Sequence, residues 1–323
     1  MRSFKLKDLW NSEEKKVFLA NFSDSKMQLD SKNKYSKIDD FWRIKTYVKD
    51  EDKLNTQFER EFPEPYQVAQ YYCGGTWNDY NSPFVIQIGL CNLNCEWCFV
   101  DKSLRNMEKG AYFSAHEIIE IWYKNTNCGV LRITGGEPFL APDFLIEIGK
   151  EIKTNFQKHR YLWIDTNLLG FDYQRVVNEL SHLDIPFGIC GCFKGFDEKN
   201  FQENTKGDPK LFNTQFENAK KILSSLKNKG QLFFYIPEFT SLISENEMKP
   251  IINHFFNQLR QKIHQNAPLR ITVLKIKKYE VNKNFFLNKE YQLGLTRKIW
   301  FELIKSNYPI DLIWLPQYQI NLN

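Results

Sequence analysis

Six short runs of β-branched and aromatic residues, alternating with longer segments of helical period, set the tightest limit on what this chain can fold into. The runs occupy residues 84–90, 130–134, 161–166, 187–193, 231–236 and 270–276. Each is nearly continuous in apolar character, as strands buried on both faces of a parallel sheet require. The intervening segments predict helices over residues 114–123, 142–153, 174–183, 212–226 and 248–259. Ser114 with Glu117 three positions on is a capping box, and Ala141-Pro142-Asp143 is a natural helix start. Such alternation implies an α/β architecture with right-handed crossovers. An eightfold barrel would need two further strand–helix units, which the stretch after Ile276 does not supply. The expected fold is therefore α/β, a partial (β/α)6 TIM-like barrel with an irregular N-terminal extension. In such barrels reactive groups gather at the C-terminal ends of the strands.

Residues 1–80 have a different texture, rich in Lys, Asp, Asn and Ser with scattered apolar positions. A helix is predicted over residues 13–22, capped by Asn11 or Ser12, and Pro63-Glu64-Pro65 breaks regular structure. The expected division is an N-terminal extension over 1–80, a core over 81–280 and a C-terminal extension over 281–323 packing on the core. With 42% hydrophobic and 26% charged residues, the chain suits a sizeable core and neither a disordered tail nor a membrane protein. No run of about 18 apolar residues is present, so no membrane partner is expected. Residues 1–10 lack the apolar stretch of a secretory signal. The net charge of +5 permits contact with phosphates or nucleic acid without demanding it. Lys275, Lys277 and Lys278 come nearest to a basic stripe and read as a solvated strand end.

Seven cysteines, an odd number with three of them clustered, point to a reducing cytoplasm and metal ligation rather than disulfides. Cys91, Cys95 and Cys98 directly follow the first strand. Three thiolates on one short loop can hold three irons of a cubane and leave the fourth iron open. Zinc would call for a fourth Cys or His at matched spacing, and none of the five histidines is near in sequence. Buried small apolar cysteines are the bland alternative, which three at this spacing on a strand-end loop argue against.

The second strand ends in Thr134-Gly135-Gly136-Glu137-Pro138, where glycines let a ligand approach the backbone and Glu137 offers an acceptor to an ammonium. The third strand ends in Asp165-Thr166-Asn167, and the fourth runs through Cys190-Gly191-Cys192-Phe193-Lys194. Cys190 and Cys192 point the same way, as barrel lining or as small core fillers. Cys73 and Cys128 stand alone, and no second multi-Cys array follows, so a single cluster is expected. The motifs of serine hydrolases, P-loop proteins and zincin proteases are absent.

The Cys-x3-Cys-x2-Cys arrangement with Trp97 before the last Cys, followed by Gly-Gly-Glu on the next strand, resembles the radical S-adenosylmethionine (SAM) superfamily over residues 84–279. The resemblance implies a 4Fe–4S cluster on Cys91, Cys95 and Cys98, and SAM bound to the open iron. Trp97 would pack near the adenine, and Gly135, Gly136 and Glu137 would meet the methionine amino group. Asp165-Thr166-Asn167 and Lys194 are also similar to stretches of the glycyl-radical-enzyme activases, the pyruvate formate-lyase activating enzyme group. That narrower likeness implies Asp165 and Asn167 at the cofactor, with Asp165 facing SAM or a cation, and Lys194 at the SAM carboxylate or ribose. Departures are Cys192 where the activases carry Asp, Leu168 where they carry Gly, and Val273-Leu274-Lys275 at the end of the sixth strand.

The implied chemistry is reductive cleavage of SAM to a 5′-deoxyadenosyl radical that abstracts hydrogen, with electrons from a flavodoxin or ferredoxin-type reductant. Three functions stay open: an oxidoreductase activating a glycyl radical enzyme, an enzyme modifying a small molecule, nucleotide or peptide, and a non-catalytic cluster- and SAM-binding protein.

Overall fold

The computed structural model describes residues 3–23, 25, 37–38, 40–44, 65–125, 128–227, 229–288 and 294–322. Nine strands matter for the site: β1 (Lys16–Ala20), β2 (Trp42–Ile44), β3 (Phe84–Ile88), β4 (Gly110–Ser114), β5 (Val130–Gly135), β6 (Tyr161–Thr166), β7 (Phe187–Cys192), β8 (Gly230–Pro237) and β9 (Ile271–Leu274). Strands β3, β5, β6, β7, β8 and β9 pair in that order, all parallel. Each of β3, β6 and β7 is buried along its whole length, which is why each reads as an unbroken apolar run. This is the mixed α/β sheet of a partial TIM-like barrel.

Helices α1 (Pro65–Cys73), α2 (Ala115–Lys124), α3 (Pro142–Thr154), α4 (Tyr173–His182), α5 (Glu198–Thr205), α6 (Leu211–Ser225), α7 (Glu245–Lys262) and α8 (Leu295–Asn307) complete the frame. The Ser114–Glu117 capping box forms as expected, and Ser244 with Glu247 makes a second one on α7. One face of the sheet packs on the helices through residues such as Phe84, Ile86, Ile133, Ile164 and Ile189. The other face encloses Val130, Tyr161, Trp163, Cys190 and Phe233, closed off by Val68 and Ala69 of α1. Tyr72 of α1 donates to the carbonyl of Tyr318 at 2.8 Å, tying the plug to the chain's other end. The barrel is thus sealed at the N-terminal ends of its strands and open at their C-terminal ends.

Residues 13–22 do not form the expected helix. The Asn11 side chain accepts from the amides of Glu13 and Glu14 at 3.1 Å, which turns the chain, and β1 follows. Val17 and Leu19 alternate inward, and β1 pairs antiparallel with β4 and with the end of β3. A capping residue at a sequence position suits a tight turn as well as a helix start, and the pairing partner decides between them. Strand β2 also pairs antiparallel with β3, placing Arg43 opposite Val85. Of the Pro63-Glu64-Pro65 segment, Pro63 and Glu64 lie outside the described residues, and Pro65 opens α1. Helix α5 and strand β4 were not expected from the sequence. No helix among the described residues is long and apolar enough to cross a membrane.

Candidate functional site

A cavity of about 330 Å³ opens at the C-terminal ends of the parallel strands. Its wall includes Cys91, Cys95, Trp97, Cys98, Gly135, Gly136, Asp165, Asn167 and Lys194, so the sequence-predicted residues other than Glu137 converge on one space.

The cysteine loop leaves β3 and is held from several sides. Cys91 N donates to Arg105 O at 3.1 Å, and Met107 N returns to Gly89 O at 2.9 Å, closing the loop at its base. At the far side, Asn94 N and Glu96 N donate to the carbonyls of Thr205 and Asn204 at the end of α5. Arg105 fills the loop from within, donating to the carbonyls of Val100 and Leu93. Burial pushes the Cys91 thiol up to about 11 and the Cys95 thiol up to about 12. A metal taking these ligands must displace their protons.

No three His, Cys, Asp or Glu side chains among the described residues converge as they would around one metal ion. A mononuclear site needs such convergence, whereas a cubane takes each ligand at a different iron. The three thiols nonetheless share one neighbourhood, interacting with each other and with Arg105, and Lys194 faces Cys95. Trp97 Nε1 is buried in the cavity wall with no hydrogen-bond partner among the described residues. Anionic ligands flanked by cations, and an orphaned donor beside them, fit a cluster with an organic cofactor.

The Gly135-Gly136 turn is shaped by the chain itself. Gly135 has φ +95°, in the left-handed region, and a Cβ on Gly136 would come within 1.9 Å of Leu90 O. Gly136 N donates to Ile88 O at 2.9 Å and Glu137 N to Leu90 O at 2.7 Å, so this turn and the cysteine loop are stitched together. Glu137 is fully buried and does not itself line the cavity. Its carboxyl accepts from Thr166 Oγ1 at 2.7 Å, Asn167 N at 2.5 Å and Phe139 N at 3.0 Å. Burial raises its pKa from 4.5 to about 7, against the pull of those donors. In this arrangement Glu137 fixes the end of β6.

Asn167, so held, donates to Asn92 Oδ1 at 2.7 Å and reaches Cys91 Sγ at 3.9 Å. Asp165 pairs with Arg132 at 2.7 Å and accepts from Trp163 Nε1 at 2.8 Å; Arg132 is the cation beside it. Lys194 Nζ lies 2.9 Å from Cys192 Sγ and 5.0 Å from the Trp97 ring centroid. Burial works against the Lys194 charge, but the thiols of Cys192 and Cys95 hold its pKa above the ordinary value. Cys190 packs in the barrel interior, Cys192 faces Lys194, and Cys73 and Cys128 lie beside Arg160.

Leu168 takes φ +64°, a conformation that favours glycine. Its side chain is fully buried against Gly191, where a Cβ would meet it at 2.8 Å. The missing glycine after Asn167 is thus matched by a glycine on the neighbouring strand.

Sequence reasoning missed Gln215 on α6. Fully buried, it donates to the carbonyls of Asn167 and Cys192 at 2.6 and 3.0 Å and accepts from Lys194 N at 3.2 Å. It fastens the ends of β6 and β7 to each other. Missed as well was Arg43, which reaches the cavity from β2.

The radical SAM superfamily profile matches residues 85–240, the span from β3 to just beyond β8 that carries the cysteine loop and the Gly-Gly turn. The chain carries a radical SAM domain, and domains of this family work with a 4Fe–4S cluster and SAM. It is 31% identical to a 7-carboxy-7-deazaguanine synthase of Methanothermobacter thermautotrophicus over 105 residues, 32% of this chain and 40% of the relative. It is 27% identical to a GTP 3′,8-cyclase of Vibrio cholerae over 165 residues, 48% of each chain. The chain therefore spans less than half the length of these curated relatives. Among solved structures, SuiB of Streptococcus suis bound to its precursor peptide SuiA aligns at 17% identity and TM-score 0.47, over 69% of this chain and 45% of that one.

Proposed function

We propose that this protein is a radical SAM enzyme acting on a small molecule held in the barrel mouth. The observation that carries it is the placement of Cys91, Cys95 and Cys98 on one wall of a single cavity, stitched to the Gly135-Gly136 turn. When bound, the cluster and SAM supply a 5′-deoxyadenosyl radical for hydrogen abstraction, with one electron drawn from a flavodoxin or ferredoxin-type reductant in a reducing cytoplasm.

The chain's own part is to bind, orient and exclude water. Cys91, Cys95 and Cys98 hold the cluster. Arg105 and Lys194 offset its negative charge. Gly135 and Gly136 give the methionine end of SAM access to the backbone, Trp97 offers a face and an N–H to the adenine, and Asn167 stands between the cysteine loop and β6. Glu137 holds that frame from behind the cavity wall, through Thr166, Asn167 and Phe139. In this reading residues 81–280 are the working core, with 1–80 and 281–323 as extensions that pack on it.

Small-molecule chemistry is favoured by a concave, partly aromatic cavity, and the relatives above are named as a synthase and a cyclase. Activation of a glycyl radical enzyme rests on Asp165-Thr166-Asn167 and Lys194 alone, and here Asp165 is engaged by Arg132 and Trp163. Anaerobic reconstitution tests the proposal. The expected result is about four irons per chain and 5′-deoxyadenosine released from SAM under dithionite, both lost when the three cysteines become alanine. Uptake of zinc in place of iron, or iron retained without those cysteines, would overturn it.

A further inference from the structure

We infer that Asn282 is a positioning residue of the cofactor site, holding the Trp97 peptide in place and so setting how firmly the adenosine end of SAM is gripped. This deepens the proposed function and rests on its reading of Cys98 as a cluster ligand and of Trp97 as the adenine wall.

The cysteine loop is anchored ligand by ligand. At Cys91 the anchor is its own amide on Arg105 O. Around Cys95 it is the amides of Asn94 and Glu96 on the end of α5. Around Cys98 it is Asn282, whose Nδ2 donates to the Trp97 carbonyl at 2.9 Å. That carbonyl belongs to the planar peptide joining Trp97 to Cys98, so one hydrogen bond orients both residues. The first two anchors come from within residues 85–240, the span of the family profile, and the third from beyond it.

The Asn282 side chain is built into this contact. Its Nδ2 also donates to Lys277 O at 3.1 Å, and its Oδ1 accepts from Tyr279 N at 2.7 Å. Asn282 lines the cavity yet is only 3% exposed, and a hydrogen bond so shielded is stronger than one open to water. Its neighbours follow the loop as well. Val281 and Cys98 pack against the same small core of Phe22, Val100 and Leu104, and the Tyr279 and Phe99 ring centroids are 5.8 Å apart. Lys277 gives its carbonyl to this contact while its side chain stays exposed.

The consequence falls on the Trp97 ring. The ring lines the cavity, and its Nε1 is buried with no hydrogen-bond partner among the described residues. No side-chain hydrogen bond therefore fixes its plane, and its placement depends on packing and on the backbone that Asn282 holds.

The test uses the full chain, reconstituted anaerobically, with iron content assayed and SAM affinity measured by equilibrium dialysis. Asn282→Asp keeps the acceptor for Tyr279 N and sets a carboxylate oxygen against the Trp97 and Lys277 carbonyls. It should retain about four irons per chain and bind SAM about tenfold more weakly than wild type. Asn282→Ser is uncharged and too short to reach the Trp97 carbonyl. It should weaken SAM binding about threefold and carries the test if Asn282→Asp does not fold. A Trp97→Leu background supplies the readout that a merely structural role does not move. There the carbonyl stays and the ring is gone, so either Asn282 change should weaken SAM binding less than about twofold further.

The inference is overturned if both Asn282 variants bind SAM as wild type does, if a folded variant loses its iron, or if the effect is as large without the Trp97 ring as with it. Wild type separates the two claims. Wild type that takes up iron and binds SAM, beside variants that bind equally well, removes the role of Asn282 alone. Wild type that takes up no iron removes the radical SAM reading, and this role with it.

Discussion

The two walls of the cavity are built on opposite terms. The wall formed by the ends of β3, β5, β6 and β7 is tight and internally bonded: Gly136 has no room for a methyl group, and Glu137, Asn167 and Gln215 spend their polar atoms on backbone groups and on the Thr166 and Asn92 side chains. The wall contributed by the segment after β9 is open, with Lys275 and Lys277 exposed. The first wall must hold its shape whatever the substrate, so its residues are costly to alter. The second is free to change charge without disturbing the fold.

That contrast fails if the motif wall tolerates change. Gly136→Ala should lose about 3 kcal/mol or more of stability, because backbone rather than a flexible side chain must yield. Chemical denaturation that finds less than about 1 kcal/mol would remove the steric reason given for this glycine.

Next in size is a pH effect from Glu137. Its carboxyl titrates at about 7 in the folded chain against an ordinary 4.5, so the folded form holds the proton more tightly than the unfolded one. The stability it contributes is full below 4.5 and lost as pH rises through about 7. Measured against Glu137→Gln, the wild-type chain without cofactors should lose on the order of 3 kcal/mol across that window. A difference that stays flat with pH would mean the carboxylate is ionised throughout.

Gln215→Leu should cost about 2 kcal/mol by stranding the carbonyls of Asn167 and Cys192, read as a lower denaturation midpoint with unchanged slope. Smallest of all, Lys275→Ala with Lys277→Ala should stay within about 0.5 kcal/mol of wild type in stability. A larger loss would place those lysines in the fold's own support.

The parallel strands were legible because burial on both faces writes a continuous apolar run, and the capping box at Ser114 marked α2 by chemistry local to four residues. Strand β1 was not legible, because its fate is set by pairing with residues 110–114, far along the chain. The cysteine trio and Gly-Gly turn could be read because their chemistry is packed into short spacings. Gln215 and Arg43 could not. Gln215 acts across 48 residues on Asn167, and Arg43 reaches the cavity only through the antiparallel register of β2. Leu168 shows a subtler limit. In sequence it is only a departure from the activase pattern, yet the backbone keeps the glycine-like conformation and the small residue stands at Gly191.

The packing of α1 beneath Tyr161, Trp163 and Phe233 makes the barrel a cul-de-sac. Among the described residues the cavity opens only at the other end, so under the proposed function cofactor fragments and product would share one exit. Under that reading, whatever lies deepest, against Trp163 and Phe233, would be the last to leave.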